Sequence, residues 1–202
     1  PAYWDLPATI DGTELSFAQA TKTFTGKFGK PGPANWSYGR FPTEQGELPV
    51  TGISWFEARA YARYRKMQLP NVYQWLVAAR LSHTGILPDI SNSNLKSASL
   101  RKATDTRDMN FHGIRNMAGN VKEWATNPQG EGIDRLSILG GAYYDNTYNF
   151  NDYYSASPLD RSIGNGIRLV RTVGQDTRDS LDEKPIIHIK RDILSEEDVS
   201  DE

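Results

Sequence analysis

The side chains able to do chemistry in this chain are few, and their types exclude most of it. There is no cysteine among the 202 residues. A thiol nucleophile, a zinc–thiolate site, an iron–sulfur cluster and a disulfide scaffold are therefore ruled out. Three histidines, His83, His112 and His188, lie far apart, and no two share a helix face at i,i+4. A three-histidine iron or zinc site does not follow from them. No G-x-S-x-G elbow, P-loop or glycine-rich nucleotide loop is present, and the protein-kinase signatures are absent. What remains is oxygen chemistry and surface. Residues 143–154 are a run of Tyr, Asn and Asp: Tyr143, Tyr144, Asp145, Asn146, Thr147, Tyr148, Asn149 and Phe150, then Asn151, Asp152, Tyr153 and Tyr154. Tyr and Asn together offer rigid contact area and adaptable hydrogen bonding, which suits a ligand or partner groove. The same run also suits a loop whose rings pack inward, and the sequence leaves both readings open.

The elements that position these residues read as short and loop-linked. A chain of 22.7 kDa makes one domain, or one domain with a tail. Ten Tyr, seven Phe, five Trp, 17 Gly and 11 Pro suggest large rings filling a core between irregular connections. Residues 1–50 show little periodicity beyond one short helix within 11–23, with Phe17, Ala18 and Ala20 as its apolar positions. Ser54 and Glu57 form a capping box, and a helix runs from there to about Lys66. Asn71 and Gln74 form a second box, opening a helix through Val72, Trp75, Leu76 and Ala79. The break at Leu69-Pro70 predicts a sharp corner between them. Residues 82–110 read as a long surface loop, and 137–144 and 166–173 as strands. Trp55, Trp75, Trp124, Ile138, Leu139 and Leu169 are the expected core.

The net charge is −2, and residues 174–202 hold ten acidic and four basic side chains, so residues 1–173 carry +4. That body has no block of Lys or Arg, which argues against nucleic acid as a partner. No apolar run approaches the ~20 residues of a membrane span. The opening Pro1-Ala2-Tyr3-Trp4 has no initiator Met, basic head or apolar stretch, and reads as a segment of a longer chain. The domain is expected over 1–173, with 174–202 an acidic linker whose end is disordered. Within it, Pro185-Ile186-Ile187-His188-Ile189 reads as an edge strand or the start of a further domain.

Five strings in order carry a resemblance. They are Pro49-Val50-Thr51-Gly52-Ile53-Ser54-Trp55-Phe56-Glu57-Ala58, Leu69-Pro70-Asn71-Val72-Tyr73-Gln74-Trp75, Asn116-Met117-Ala118-Gly119-Asn120-Val121-Lys122-Glu123-Trp124, Gly140-Gly141-Ala142-Tyr143 and Gly166-Ile167-Arg168-Leu169-Val170-Arg171. Together they resemble the formylglycine-generating-enzyme, or sulfatase-modifying-factor, domain. The fold this implies is α+β and C-type-lectin-like: loop-rich, with two main helices and a small, mostly antiparallel sheet. Pro31-Gly32-Pro33-Ala34-Asn35-Trp36, the Lys122 variant and Ser157-Pro158-Leu159-Asp160-Arg161-Ser162 resemble one branch of that family. In it the domain sits in long bacterial proteins, after a serine/threonine-kinase domain and often before an α/β-hydrolase-type domain. On that pattern the chain begins inside the domain, without its first strand.

The resemblance also carries expectations about chemistry. The family's enzymes bind copper through two cysteines and oxidise a sulfatase cysteine; here those positions fall at Asp145 and Phe150, so no copper is expected. Related sulfoxide synthases use a His-rich iron site that these histidines do not reproduce. The family's Asn-x-x-Gly-Asn-Val-x-Glu-Trp turn binds one Ca²⁺, which maps to Asn116, Gly119, Val121 and Glu123. Hard oxygens at ~2.3–2.6 Å suit that ion, while hydrogen-bonded capping of the turn is the plainer alternative. A second family calcium site near Asn94-Leu95 is expected to be lost. The family's groove maps to Tyr143, Tyr144, Asp145, Asn146, Tyr148 and Asn149, and Asp160-Arg161 reads as a structural ion pair or turn. The leading reading is a non-catalytic module of a kinase-linked bacterial protein, binding a peptide, a glycan or a neighbouring domain. The rivals are a repurposed metal-dependent oxidoreductase around Asp145 and a structural spacer. The compartment is left open, an extracytoplasmic position being one reading.

Overall fold

A four-stranded sheet with a packed core on each face positions everything else. The structure, a computed structural model, describes residues 2–79, 90–130, 133–151 and 154–171. In chain order the elements are β1 (Ala8–Ile10), β2 (Thr13–Leu15), α1 (Phe17–Thr23), α2 (Trp55–Tyr64), α3 (Val72–Ala79), β3 (Lys122–Pro128), β4 (Leu136–Leu139), β5 (Tyr154–Ala156) and β6 (Asn165–Gly166). The sheet order is β5-β4-β3-β6, with β5-β4 and β4-β3 antiparallel and β3-β6 parallel. This is the small, mostly antiparallel sheet of the α+β expectation.

Alternation along β3 and β4 assigns the two cores. Trp124, Leu136 and Ile138 point to one face and pack with Trp55, Phe56 and Ala58 of α2 and Ala20 of α1. Ala125 and Leu139 point to the other and pack with Val72, Trp75 and Ala79 of α3, with Met117, Leu95 and Phe150. Both faces are covered, so β4 is buried at all four positions. The three expected indoles, Ile138 and Leu139 are buried, and Leu169 lies partly buried against the first core. Trp55 and Trp124 also spend their N–H groups on buried carbonyls, of Ala125 at 3.0 Å and Ile53 at 3.0 Å.

Both capping boxes form. Ser54 Oγ accepts from the Glu57 amide while Glu57 accepts from the Ser54 amide at 2.8 Å. Asn71 and Gln74 exchange the same pair of bonds at 2.8 and 2.9 Å. A third box, Ser16 with Gln19, opens α1 and was legible in the same way. Helix α2 stops at Tyr64 rather than near Lys66, because Lys66 adopts φ 53°.

Three expectations change. Residues 8–15, read as aperiodic, are a hairpin whose turn Asp11-Gly12 has φ 47° and 75°; Asp-Gly is the usual signal for a two-residue turn of that hand. The strand expected over 137–144 ends at Leu139, because Gly140 and Gly141 turn the chain at φ 96° and 76°. Among the described residues, the strand expected over 166–173 joins the sheet only at Gly166; Ile167 and Leu169 pack on the core and Val170 bridges Gln68. Residues 82–89 of the expected long loop, residues 172–173 of that strand and the whole tail from 174 lie outside the described residues.

Arg161 also takes a different partner from its neighbour Asp160. Its guanidinium forks onto Glu57, at 2.8 Å to each oxygen, and donates to the carbonyls of Thr25 at 2.7 Å and Gly32 at 2.6 Å. Asp160 instead caps its own turn, accepting from the Ser162 amide and hydroxyl and from Asn165. Glu57 thus closes a helix N-terminus and anchors the 25–32 loop with one carboxylate.

Replacing Trp124 by Ala is expected to lower the unfolding free energy by ~3–5 kcal/mol. Urea titration with an unchanged m-value checks this, and a loss below ~1 kcal/mol contradicts the burial of this indole.

Candidate functional site

Two adjoining structures gather the residues singled out by sequence: the turn before β3, and the segment after β4. The turn is built for close approach. Gly119 has φ 82°, and a Cβ there would stand 2.3 Å from the Asn94 carbonyl oxygen, so only glycine fits. Asn94 O accepts from the Asn120 amide at 2.9 Å, and Gly119 N donates to Gly140 O at 2.7 Å. Asn120 Oδ1 accepts from Asn94 Nδ2 and the Arg101 amide, while its Nδ2 reaches Arg101 O. Asn94, placed near the second calcium position by sequence, is therefore part of a side-chain network tying the 90–101 loop to this turn.

Asn116, Gly119, Val121 and Glu123 all lie on the turn, but the carboxylate is already committed. Glu123 is 3% exposed. Its oxygens each stand 2.8 Å from Arg168, through Nε and Nη2, and Oε2 also accepts from Trp75 Nε1 at 2.7 Å. Arg168 Nη2 further donates to Arg115 O at 2.9 Å and Asn116 O at 3.4 Å. Although burial opposes its charge, the Glu123 carboxylate holds the Arg168 guanidinium above its ordinary value. A guanidinium thus supplies positive charge to the carboxylate and two carbonyls. Asn116 Oδ1 and Asp108 Oδ2 are acceptors buried without a partner, and the Asn116 amide donates to Asp108 Oδ1 at 3.0 Å. Burial raises the Asp108 carboxyl above the usual carboxylate range. The Arg168 fork occupies one edge of the Glu123 carboxylate, so an ion bound there at ~2.3–2.6 Å would share the carboxylate with the guanidinium. A cavity of about 510 Å³ opens beside this pair, walled by Pro49, Ala103, Ile114, Asn116 and Arg168.

The segment after β4 turns away from the sheet at Gly140, where a Cβ would meet the Trp75 ring at 3.0 Å. Asp145 then closes a tight turn. Its Oδ2 accepts from the Ala142 amide at 2.9 Å, and its own amide donates to Ala142 O. The same oxygen pairs with Lys122 Nζ at 3.1 Å. Lys96 and Ser97 amides donate to the carbonyls of Asp145 and Tyr143. Phe150 is buried against Trp75, with ring centroids 6.1 Å apart. The two positions that the resemblance assigns to copper thiolates therefore hold a turn-closing ion pair and a core ring. Among the described residues no group of three His, Asp or Glu could hold a metal.

The neighbouring side chains are surface. Tyr144 is 43% and Tyr148 70% exposed. Tyr144 stands edge-on to Tyr143 at 5.1 Å and lies against Gly164, where a Cβ would come within 2.5 Å of its hydroxyl. Lys122 Nζ sits 6.0 Å from the Tyr144 ring and 5.3 Å from that of Tyr154. Burial, with the Asp145 charge, raises the Tyr144 phenol. Asn146 Nδ2 donates to Tyr148 Oη at 3.0 Å, and Asn149 Oδ1 is buried without a partner. Asp145 thus lies beneath this surface as its support. Sequence reasoning missed Lys122 and Arg168 as organising residues; the signal for Arg168 was a cation inside an apolar run.

Residues 10–173 match the family model described as the sulfatase-modifying factor enzyme 1-like domain. The chain is 28% identical over 123 residues to the inactive C-alpha-formylglycine-generating enzyme 2 of Bos taurus, covering 52% of this chain and 41% of that protein. It is 32% identical over 93 residues to the serine/threonine-protein kinase Pkn1 of Chlamydia trachomatis, covering 43% of this chain and 15% of the kinase. The chain thus spans less than half the length of either relative. The solved structure of CarF superposes with a TM-score of 0.53 at 21% identity, over 66% of this chain and 72% of CarF.

Glu123→Gln is expected to cost ~3 kcal/mol, since it leaves Arg168 without its counter-charge. The melting temperature of the unaltered chain is expected to be the same in calcium chloride and in a chelator. A calcium-dependent rise that Glu123→Gln abolishes would restore the calcium site.

Proposed function

We propose that this chain, which belongs to the sulfatase-modifying factor enzyme 1-like domain family, is a non-catalytic binding module of a larger protein. The observation that carries the reading is the use of Asp145 and Phe150. One closes a turn and pairs with Lys122; the other fills the core against Trp75. With no cysteine in the chain, those positions offer no soft ligand for Cu(I). The same bonds hold Tyr144, Asn146 and Tyr148 outward on a fixed backbone, with Tyr143 behind them. Rigid aromatic anchors beside adaptable amides give contact area at low entropic cost. Binding of a peptide, a glycan or a neighbouring domain at this surface fits that arrangement.

Two relatives support the reading from outside. The bovine relative bears the name of an inactive enzyme. The chlamydial relative is a kinase in which the matching stretch covers 15% of the length, consistent with a module inside a longer chain. We further propose that the module works without calcium, Arg168 supplying the positive charge at the turn. No helix among the described residues is long and apolar enough to cross a membrane.

Two measurements test this reading. A Cys-x-Pro-x-Arg peptide incubated with the chain, oxygen and copper is expected to keep its mass; conversion above the copper-only control contradicts the proposal. Peptides or glycans selected on the immobilised chain are expected to bind the Tyr144→Ala/Tyr148→Ala variant roughly 30-fold more weakly. Equal binding to the variant removes this surface from the account.

A further inference from the structure

A second surface, remote in sequence from the Tyr/Asn segment, is unused by the reading above. The loop between α1 and the Ser54 cap folds back on itself: Lys27 N donates to Trp36 O at 2.7 Å, and Gly26 N to Lys30 O at 2.8 Å. At its tips stand Phe28 and Tyr38, stacked face to face with centroids 4.5 Å apart and planes 8° from parallel. They are 68% and 66% exposed. Both are non-glycine residues with positive φ, 65° and 52°. Bulky residues rarely adopt that region, and such strain persists where the surroundings impose it. The fold therefore holds two large rings in solvent in a fixed pair. Around them Lys27, Lys30 and Arg40 are exposed and make no ion pair among the described residues. No acidic residue occurs between Glu14 and Glu44. The surface is an apolar platform with a rim of unbalanced positive charge.

This chain contains a segment of matching chemistry. Asp176, Asp179, Asp182 and Glu183, with Arg178 and Lys184 among them, precede the apolar run Pro185-Ile186-Ile187-His188-Ile189; residues 174–184 net −2 and residues 174–202 net −6. We propose that this acidic segment docks on the Phe28–Tyr38 platform of the domain it follows. The prolyl and isoleucyl side chains cover the ring faces, and the carboxylates before them meet Lys27, Lys30 and Arg40. Thirteen residues separate Arg171 from Pro185. Extended, they reach ~45 Å, against ~63 Å halfway round a domain about 40 Å across, so the run can reach the surface except the part opposite Arg171. Such docking covers a strained, sticky surface and is released by salt or by a competing acidic partner.

Because the chain has no cysteine, one spin label can be placed without altering any thiol. In the full chain, a label on Ser180→Cys is expected to broaden the backbone amides of residues 26–40, and tenfold dilution is expected to leave the broadening unchanged. It is expected to vanish in Lys27→Glu/Lys30→Glu/Arg40→Glu, to weaken in Phe28→Ala/Tyr38→Ala, and to fade near ~0.5 M salt, where the screening length is about 4 Å. Unchanged amide positions elsewhere show that each variant is folded. The proposal is overturned by no broadening of 26–40 in the unaltered domain, by broadening centred on another surface, or by broadening lost on dilution, which assigns the platform to a second copy. Sedimentation with phosphatidylserine vesicles through Phe28 and Tyr38, with the label silent, assigns it to a membrane surface and also overturns it.

Discussion

A single buried carboxylate organises this domain. Glu123 lies in the longest strand of the sheet, shielded from solvent, and a carboxylate there is tolerated only if its charge and lone pairs are met. Arg168 meets the charge on both oxygens and Trp75 supplies a further N–H. Those three contacts join β3, α3 and the chain after β6, and the remaining Arg168 donors hold the backbone at Arg115 and Asn116. The neighbours on either side inherit the arrangement. Lys122 reaches Asp145 under the Tyr surface, and Trp124 enters the opposite core with its N–H on Ile53. Three successive residues of one strand thus address the turn, the exposed surface and the helix α2 layer.

The consequence for function runs through Trp75. Its indole is oriented by Glu123 and in turn forms the wall for Phe150 and Gly140. Where copper chemistry would need two mobile, solvent-reachable soft ligands, this chain has a ring wedged behind an indole and a carboxylate held in a turn by an amide and a lysine. A second Arg–Glu fork, Arg161 on Glu57, fixes the loop that carries Phe28 and Tyr38. Both aromatic surfaces therefore rest on buried or half-buried ion pairs.

Local signals were legible and long-range ones were not. The boxes at Ser54 and Asn71 depend on residues three apart, and both form. The Trp, Ile and Leu positions of the core follow from apolarity, since each sits where a covered sheet face needs it. β3 escaped because its polar residues Lys122, Glu123, Thr126 and Asn127 break the alternation expected of a strand. Lys122, Glu123 and Asn127 are each met by a partner that only the fold supplies: Asn127 Oδ1, for example, caps the Val72 amide at 2.8 Å, while Thr126 Oγ1 is buried without one. Arg168, the partner of Glu123 in the turn where calcium was expected, is 45 residues away from it and leaves no local signal. The hairpin at Asp11-Gly12 is the opposite case, a local signal present and unread. The residues assigned to a groove follow one another on one segment, and their division into support and surface depends on Lys122 and Gly164.

The central claim is that the two positions assigned to metal capture in the enzymes this chain resembles now serve structure alone. Competition for Cu(I) tests it most directly. A coloured Cu(I)–bicinchoninate complex is titrated with the reduced chain under nitrogen. The account predicts that the absorbance is unchanged by a molar excess of protein, because Asp145 is a hard ligand already paired with Lys122 and Phe150 is buried. Stoichiometric bleaching that disappears in Asp145→Ala would show a metal centre at this turn and contradict it.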